Sequence, residues 1–152
     1  MTAVEDPRRL RRTWALRGRP SCVGAGLQAE SLARAAGWPA RAAGEIGLLV
    51  IELCTNADRH GNGGHCTMAL SADECEVLVE DEGPGYPPGV LARVARGLSV
   101  EESVHPPGTR AGRGLGAGLD AARRLSTQLT LENRAERGAR AVARVVRAAP
   151  RG

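Results

Sequence analysis

The sequence contains no phenylalanine and no lysine. Its aromatic residues are Trp14, Trp38 and Tyr86 alone, which argues against a nucleic-acid binder built on aromatic stacking platforms. Without lysine there is no Walker A loop, no lysine-dependent kinase of the usual eukaryotic fold and no Schiff-base chemistry. No apolar run approaches the roughly 18 residues of a membrane span, and no N-terminal stretch resembles a signal peptide. The expectation is a soluble, cytoplasmic protein with no membrane partner. Cys22, Cys54, Cys66 and Cys75 include no C-x-x-C pair, and His60, His65 and Cys66 fit no common zinc-finger spacing. Four reduced, mostly buried thiols are expected, and no metal-thiolate site.

What is present suits one folded domain. The chain has 152 residues, and about 150 residues make a typical domain. Hydrophobic residues are 42% and charged residues 25%, close to the globular norm. The net charge of +4 is unevenly spread. Residues 1–19 hold six Arg against two acids and residues 134–152 six Arg against one, leaving nine Arg against fourteen acids between them. Basic ends around an acidic centre fit a nucleic-acid patch or a solvated arginine-rich surface. The second reading is preferred, with no nucleic-acid partner.

Residues 1–12 read as a basic arm, residues 13–148 as the domain and 149–152 as a tail. An edge strand is expected at 13–17, closed by Gly18 and Pro20. Ser21 suits the N-cap of a helix running to about residue 36 and ended by Gly37, and Pro39 suits the first turn of a second helix. In that second helix Ile46, Leu49, Val50, Leu53 and Ala57 form one apolar stripe. Glu52 and Asn56, four apart, sit one above the other at its edge, placed to line a cleft. Gly61 to Gly64 stop the helix. Strands are expected at 65–70 and 75–80, and Asp81 extends the apolar face of Cys75, Val77 and Val79. A carboxylate at the end of a buried face needs a partner. A short helix at 88–96 and a glycine-dense loop at 110–118 feeding a helix through Leu119, Ala122 and Leu125 follow. Strands close the chain at 128–132 and 139–147, the last also compatible with helix by composition.

Three features need one explanation: Glu52-x-x-x-Asn56 on a helix, Asp81-x-Gly83-x-Gly85 after a strand, and Gly112-x-Gly114-x-Gly116-x-Gly118 before a helix. Glycines there permit close backbone approach to phosphate at a helix N-terminus. In this order and spacing the three resemble the N, G1 and G2 boxes of the Bergerat-fold (GHKL) ATPases. Within that group the chain looks most like the RsbT-type serine/threonine kinases that regulate bacterial sigma factors. The carrying residues are Glu52-Leu53-Cys54-Thr55-Asn56-Ala57, Gly61-Asn62-Gly63-Gly64, Val79 through Gly85, and Gly114-Leu115-Gly116-Ala117-Gly118-Leu119. The resemblance implies a two-layer α/β sandwich, with a mixed, mainly antiparallel sheet covered by helices on one face.

It also implies Mg²⁺ and ATP. Asp81 would accept the adenine amino hydrogen, and Gly83 and Gly85 would let base and sugar lie close to the backbone. Asn56 would give Mg²⁺ one neutral oxygen. Glu52 would orient or deprotonate the attacking hydroxyl. Gly114, Leu115, Gly116 and Gly118 would hold the β- and γ-phosphates, and Arg110 or Arg113 would supply a cation in place of the missing lysine. A lid would span about residues 86–113. The implied activity is phosphorylation of Ser or Thr on a STAS-domain antagonist protein within a partner-switching or stressosome pathway, with a PP2C-type phosphatase as a further partner. Two alternatives stay open: a kinase that binds a sigma factor directly, and a non-catalytic ATP-binding module. Three departures stand out. Gly138-Ala139 replaces the family's Gly-Thr, removing a hydroxyl expected at the phosphate end. Tyr86 stands where an aliphatic residue is common, and His105-Pro106-Pro107 stiffens the lid.

Overall fold

The computed structural model describes residues 9–100 and 115–147. Along the chain run β1 (Leu10–Leu16), α1 (Gly18–Ala35), α2 (Ala40–His60), β2 (Gly64–Leu70), β3 (Glu74–Asp81), α3 (Pro88–Ala95), α4 (Leu115–Leu125), β4 (Gln128–Asn133) and β5 (Ala139–Val146). The strands form one sheet in the order β1-β2-β3-β5-β4. Every pairing among the described residues is antiparallel, which corrects the expectation of a mixed sheet. A single crossover helix would have made β1 and β2 parallel. The helix pair between them reverses the chain once more, so β2 returns antiparallel. β2–β3 and β4–β5 are hairpins, and β3 and β4, joined through α3 and α4, do not pair.

β1 starts at Leu10, so Leu10 to Arg12, read as part of the arm, pair with Leu70 to Met68. As expected, β1 is an edge strand. Ser21 is not the N-cap of α1. Its hydroxyl accepts the Arg17 N–H at 2.8 Å from inside the first turn, and Asp58 of α2 accepts the Gly18 N–H at 2.9 Å. A tertiary carboxylate thus meets an amide that a local cap would otherwise take. At the other end Gly37 takes φ +97°, and the Trp38 N–H returns to the Ala33 carbonyl at 3.0 Å.

One sheet face carries the core. Cys75, Val77 and Val79 of β3 align with Cys66, Met68 and Leu70 of β2 and with Ala141 and Ala143 of β5, and all of them are buried. Ile46, Leu49, Val50, Leu53 and Ala57 of α2 are buried as well, which makes the helix stripe read from sequence the second half of the core. The four cysteines are free and buried. Burial pushes the Cys75 thiol up to about 12 and raises that of Cys22, while Cys54 is raised mainly by its hydrogen bond with Cys66. Segment 139–147, open between strand and helix by composition, forms strand β5. Its alternate alanines pack inward, and Arg140 and Arg144 point to glutamates of β3 on the other face.

Candidate functional site

The C-terminal end of α2 meets the C-terminal end of β3, and Asp81 sits at that junction, only 6% exposed. Parity carries it there, because it shares the inward face of Val77 and Val79. Its Oδ1 accepts the Gly83 and Ala139 N–H groups, each at 3.0 Å. No donor among the described residues reaches Oδ2. A Cβ on Gly61 would overlap the Asp81 carboxylate, and one on Gly138 the Asp81 carbonyl oxygen. Glycines therefore hold backbone against the acid on two sides. Burial raises the Asp81 pKa above its ordinary value, and the two amide donors and the nearby Arg134 guanidinium offset only part of this.

Gly83 is buried against the Gly61 backbone. Gly85 adopts φ +88° and presses against Asn133, whose side-chain oxygen accepts the Tyr86 N–H at 2.7 Å while its amide donates to the Tyr86 carbonyl at 3.0 Å. This two-point clamp fixes the Tyr86 backbone. The buried phenol reaches the Asn56 side chain, and burial, aided by the Asp81 charge, raises its pKa. Asn56, at the edge of its stripe, is itself buried. Asp81, Gly83, Gly85, Tyr86 and Asn56 are thus one cluster.

Glu52 stands one turn before Asn56 on α2 and is half-buried. A Cβ on Gly118 would lie 3.2 Å from Glu52 Oε2, so the first turns of α4 pack directly on this carboxylate. Glu52, Asn56 and Gly118 line a cleft of about 280 Å³ together with Ala117, Thr55 and several basic side chains. Gly116 is buried and Leu115 opens α4. Arg110, Arg113, Gly112 and Gly114 lie outside the described residues, as do residues 101–113 of the 86–113 segment read as a lid. Its described part holds α3, which packs Val90 and Val94 into the core.

The Ala139 N–H donates to Asp81 Oδ1 at 3.0 Å, so the position where the resembled family carries Thr adjoins Asp81. Sequence reasoning missed Asn133, Arg134 and Asp120. Arg134 donates to the Asp81 carbonyl at 3.0 Å and pairs with Glu82 and Glu80. Asp120 is buried and accepts the Ser99 hydroxyl and the Val100 N–H, both at 2.7 Å, tying the segment after α3 to α4. It is the one acid between Glu102 and Glu132 in sequence, a signal that was available. Asn133 and Arg134 act across a loop from partners about fifty residues away and left no local signal.

Residues 43–149 match the family described as histidine kinase-, DNA gyrase B-, and HSP90-like ATPase. Among solved structures, the mycobacterial sensor histidine kinase MprB is similar at 14% identity and a TM-score of 0.49, over 90% of this chain and 97% of that one. A comparison with curated proteins returned no match.

Proposed function

Because the chain belongs to the histidine kinase-, DNA gyrase B-, and HSP90-like ATPase family, we propose that it is a Mg-ATP-dependent protein serine/threonine kinase of the RsbT type. The reading rests above all on Asp81, a buried carboxylate with one oxygen engaged by two amides and the other met by no donor among the described residues, in a collar where a Cβ would not fit. Such an acceptor suits an exocyclic amino group. Adenine offers one where guanine offers a carbonyl, so the acid selects ATP over GTP.

Gly83 and Gly85 keep side chains out of the path of base and sugar. Asn56 offers a single neutral oxygen, in keeping with a magnesium ion that takes its other ligands from phosphate and water. That ion would neutralise charge on the transferring phosphoryl group. The amides of Leu115, Gly116 and Gly118 at the start of α4 suit the phosphates; Gly114, next to them in sequence, would add its own, and Arg113 would supply a cation. Glu52, half-buried in the cleft, suits the role of general base. It takes the proton of the acceptor hydroxyl as that oxygen bonds to the γ-phosphorus, and the bond to the β,γ-bridging oxygen breaks to release ADP. The acceptor we propose is a Ser or Thr of a STAS-domain antagonist protein, with a PP2C-type phosphatase as a second partner of the kinase.

Mixing the chain with labelled ATP and a STAS-domain protein encoded beside it tests the reading. Label should move to Ser or Thr, and Glu52→Gln should slow transfer on the order of 10²–10⁴-fold with ATP still bound. ATP binding with no label transfer by the wild type would defeat the kinase reading.

A further inference from the structure

The cleft above Glu52 carries more positive charge than a carboxylate base needs. Arg19 enters it from the first turn of α1, Arg59 and His60 from the end of α2, and Arg124 from the last turn of α4, facing Glu52 as the one acid among the lining residues. The exposed guanidiniums of Arg19 and Arg124 outnumber that one carboxylate. Arg134, Arg140 and Arg144, by contrast, pair with Glu80, Glu82, Glu132 and Glu74. Arg19 and Arg124 are exposed and carry no acidic partner among the described residues. Arg124 is also displaced from the phosphate-binding turn. Six residues separate it from Gly118, about 9 Å along a helix, at the end of α4 opposite the amides that favour phosphate.

We infer that this cleft seats the acceptor segment of the protein substrate and selects a Ser or Thr flanked by acidic residues. The inference rests on the reading of Glu52 as the base. An acceptor hydroxyl must reach Glu52, and Glu52 lies in this cleft, so the residues on either side of the hydroxyl pass the Arg19 and Arg124 walls. Guanidiniums pair with carboxylates in a defined fork geometry. A concave site of one sign also concentrates and steers a partner of the other sign. The Glu52 charge at the centre opposes a phosphodiester chain laid along the same path, which favours a peptide carrying a neutral hydroxyl at its middle and acids at its sides.

The test uses two 13-residue peptides with a central Ser, one flanked by Asp and Glu and the other by Asn and Gln. Fluorescence anisotropy measures their binding to the full chain with Mg-ADP present. The acidic peptide should bind at least tenfold more tightly, and the preference should shrink as salt is raised and the screening length falls from about 10 Å at 0.1 M to about 3 Å at 1 M. The Arg19→Gln/Arg124→Gln double variant should erase the preference and hold ATP affinity within twofold. Equal binding of the two peptides, or a preference that survives the double variant, overturns the inference. So does a large loss of ATP affinity in that variant, which would give these arginines to the nucleotide, and so does a single-stranded oligonucleotide that outbinds the acidic peptide. Preferential binding with no phosphate transfer would overturn the kinase reading and leave the docking assignment standing.

Discussion

Replacing Asp81 with Asn separates recognition from stability, because the two respond in opposite directions. The amide keeps an oxygen where Oδ1 accepts Gly83 and Ala139. It places an NH₂ donor where Oδ2 is open, so an incoming adenine amino group meets a donor instead of an acceptor. A hydrogen bond to a charged group is worth about 1.5–3 kcal/mol. Its loss should weaken ATP binding on the order of 10- to 150-fold. Discrimination against GTP should shrink in parallel. Stability moves the other way. A raised carboxyl pKa means that the folded surroundings favour the neutral form, and burial is the dominant reason. The charge therefore costs stability at neutral pH, a cost relieved as pH falls through the raised pKa, and a neutral amide removes it at every pH. Isothermal titration calorimetry with ATP and GTP, alongside thermal melts at pH 7, reads both effects. Undiminished ATP affinity in Asp81→Asn with an unchanged or higher Tm would refute the assignment of Asp81 as the adenine acceptor.

Two further outcomes follow from the packing and the surface charge. Gly61→Ala drives a Cβ into the Asp81 carboxylate. Overpacking of this kind costs about 1–3 kcal/mol, so differential scanning calorimetry should show Tm lower by roughly 3–10 °C for a chain of this size. An unchanged Tm would mean that the collar around Asp81 is looser than described. Glu74 is held below the usual carboxylate range by the hydrogen bond from Arg144, with Arg9 assisting. A depressed folded pKa contributes stability that is present above the unfolded value and lost as pH falls through the folded one. Glu74→Gln should thus cost up to about 1 kcal/mol at pH 7, in line with a largely solvated ion pair, and nothing at strongly acid pH. Urea melts across that range check the sign, and a penalty that grows on acidification would contradict it.

Local pattern was enough for most of the elements and for the placement of Glu52, Asn56 and Asp81. The stripe from Ile46 to Ala57 specified α2, because a period of 3.6 and a run of good helix formers agree along it. The parity of Cys75, Val77, Val79 and Asp81 specified which face of β3 turns inward and so committed the acid to burial. Glu52 and Asn56 were bound to share a helix side, since residues four apart always do. Other features depend on chain segments far apart in sequence. The sheet is antiparallel throughout because two helices, not one, separate β1 from β2. The start of α1 is met by Asp58, forty residues on, in place of Ser21. Asp81 finds its amide partner in Ala139, and Tyr86 is clamped by Asn133, across gaps of some fifty residues. Hydrophobic period and helix phase are properties of consecutive residues, so the sequence by itself determined which faces are buried and which polar groups ride on them. The partner of each buried polar group is chosen by closure of the sheet over the helices, and only the tertiary structure decided that.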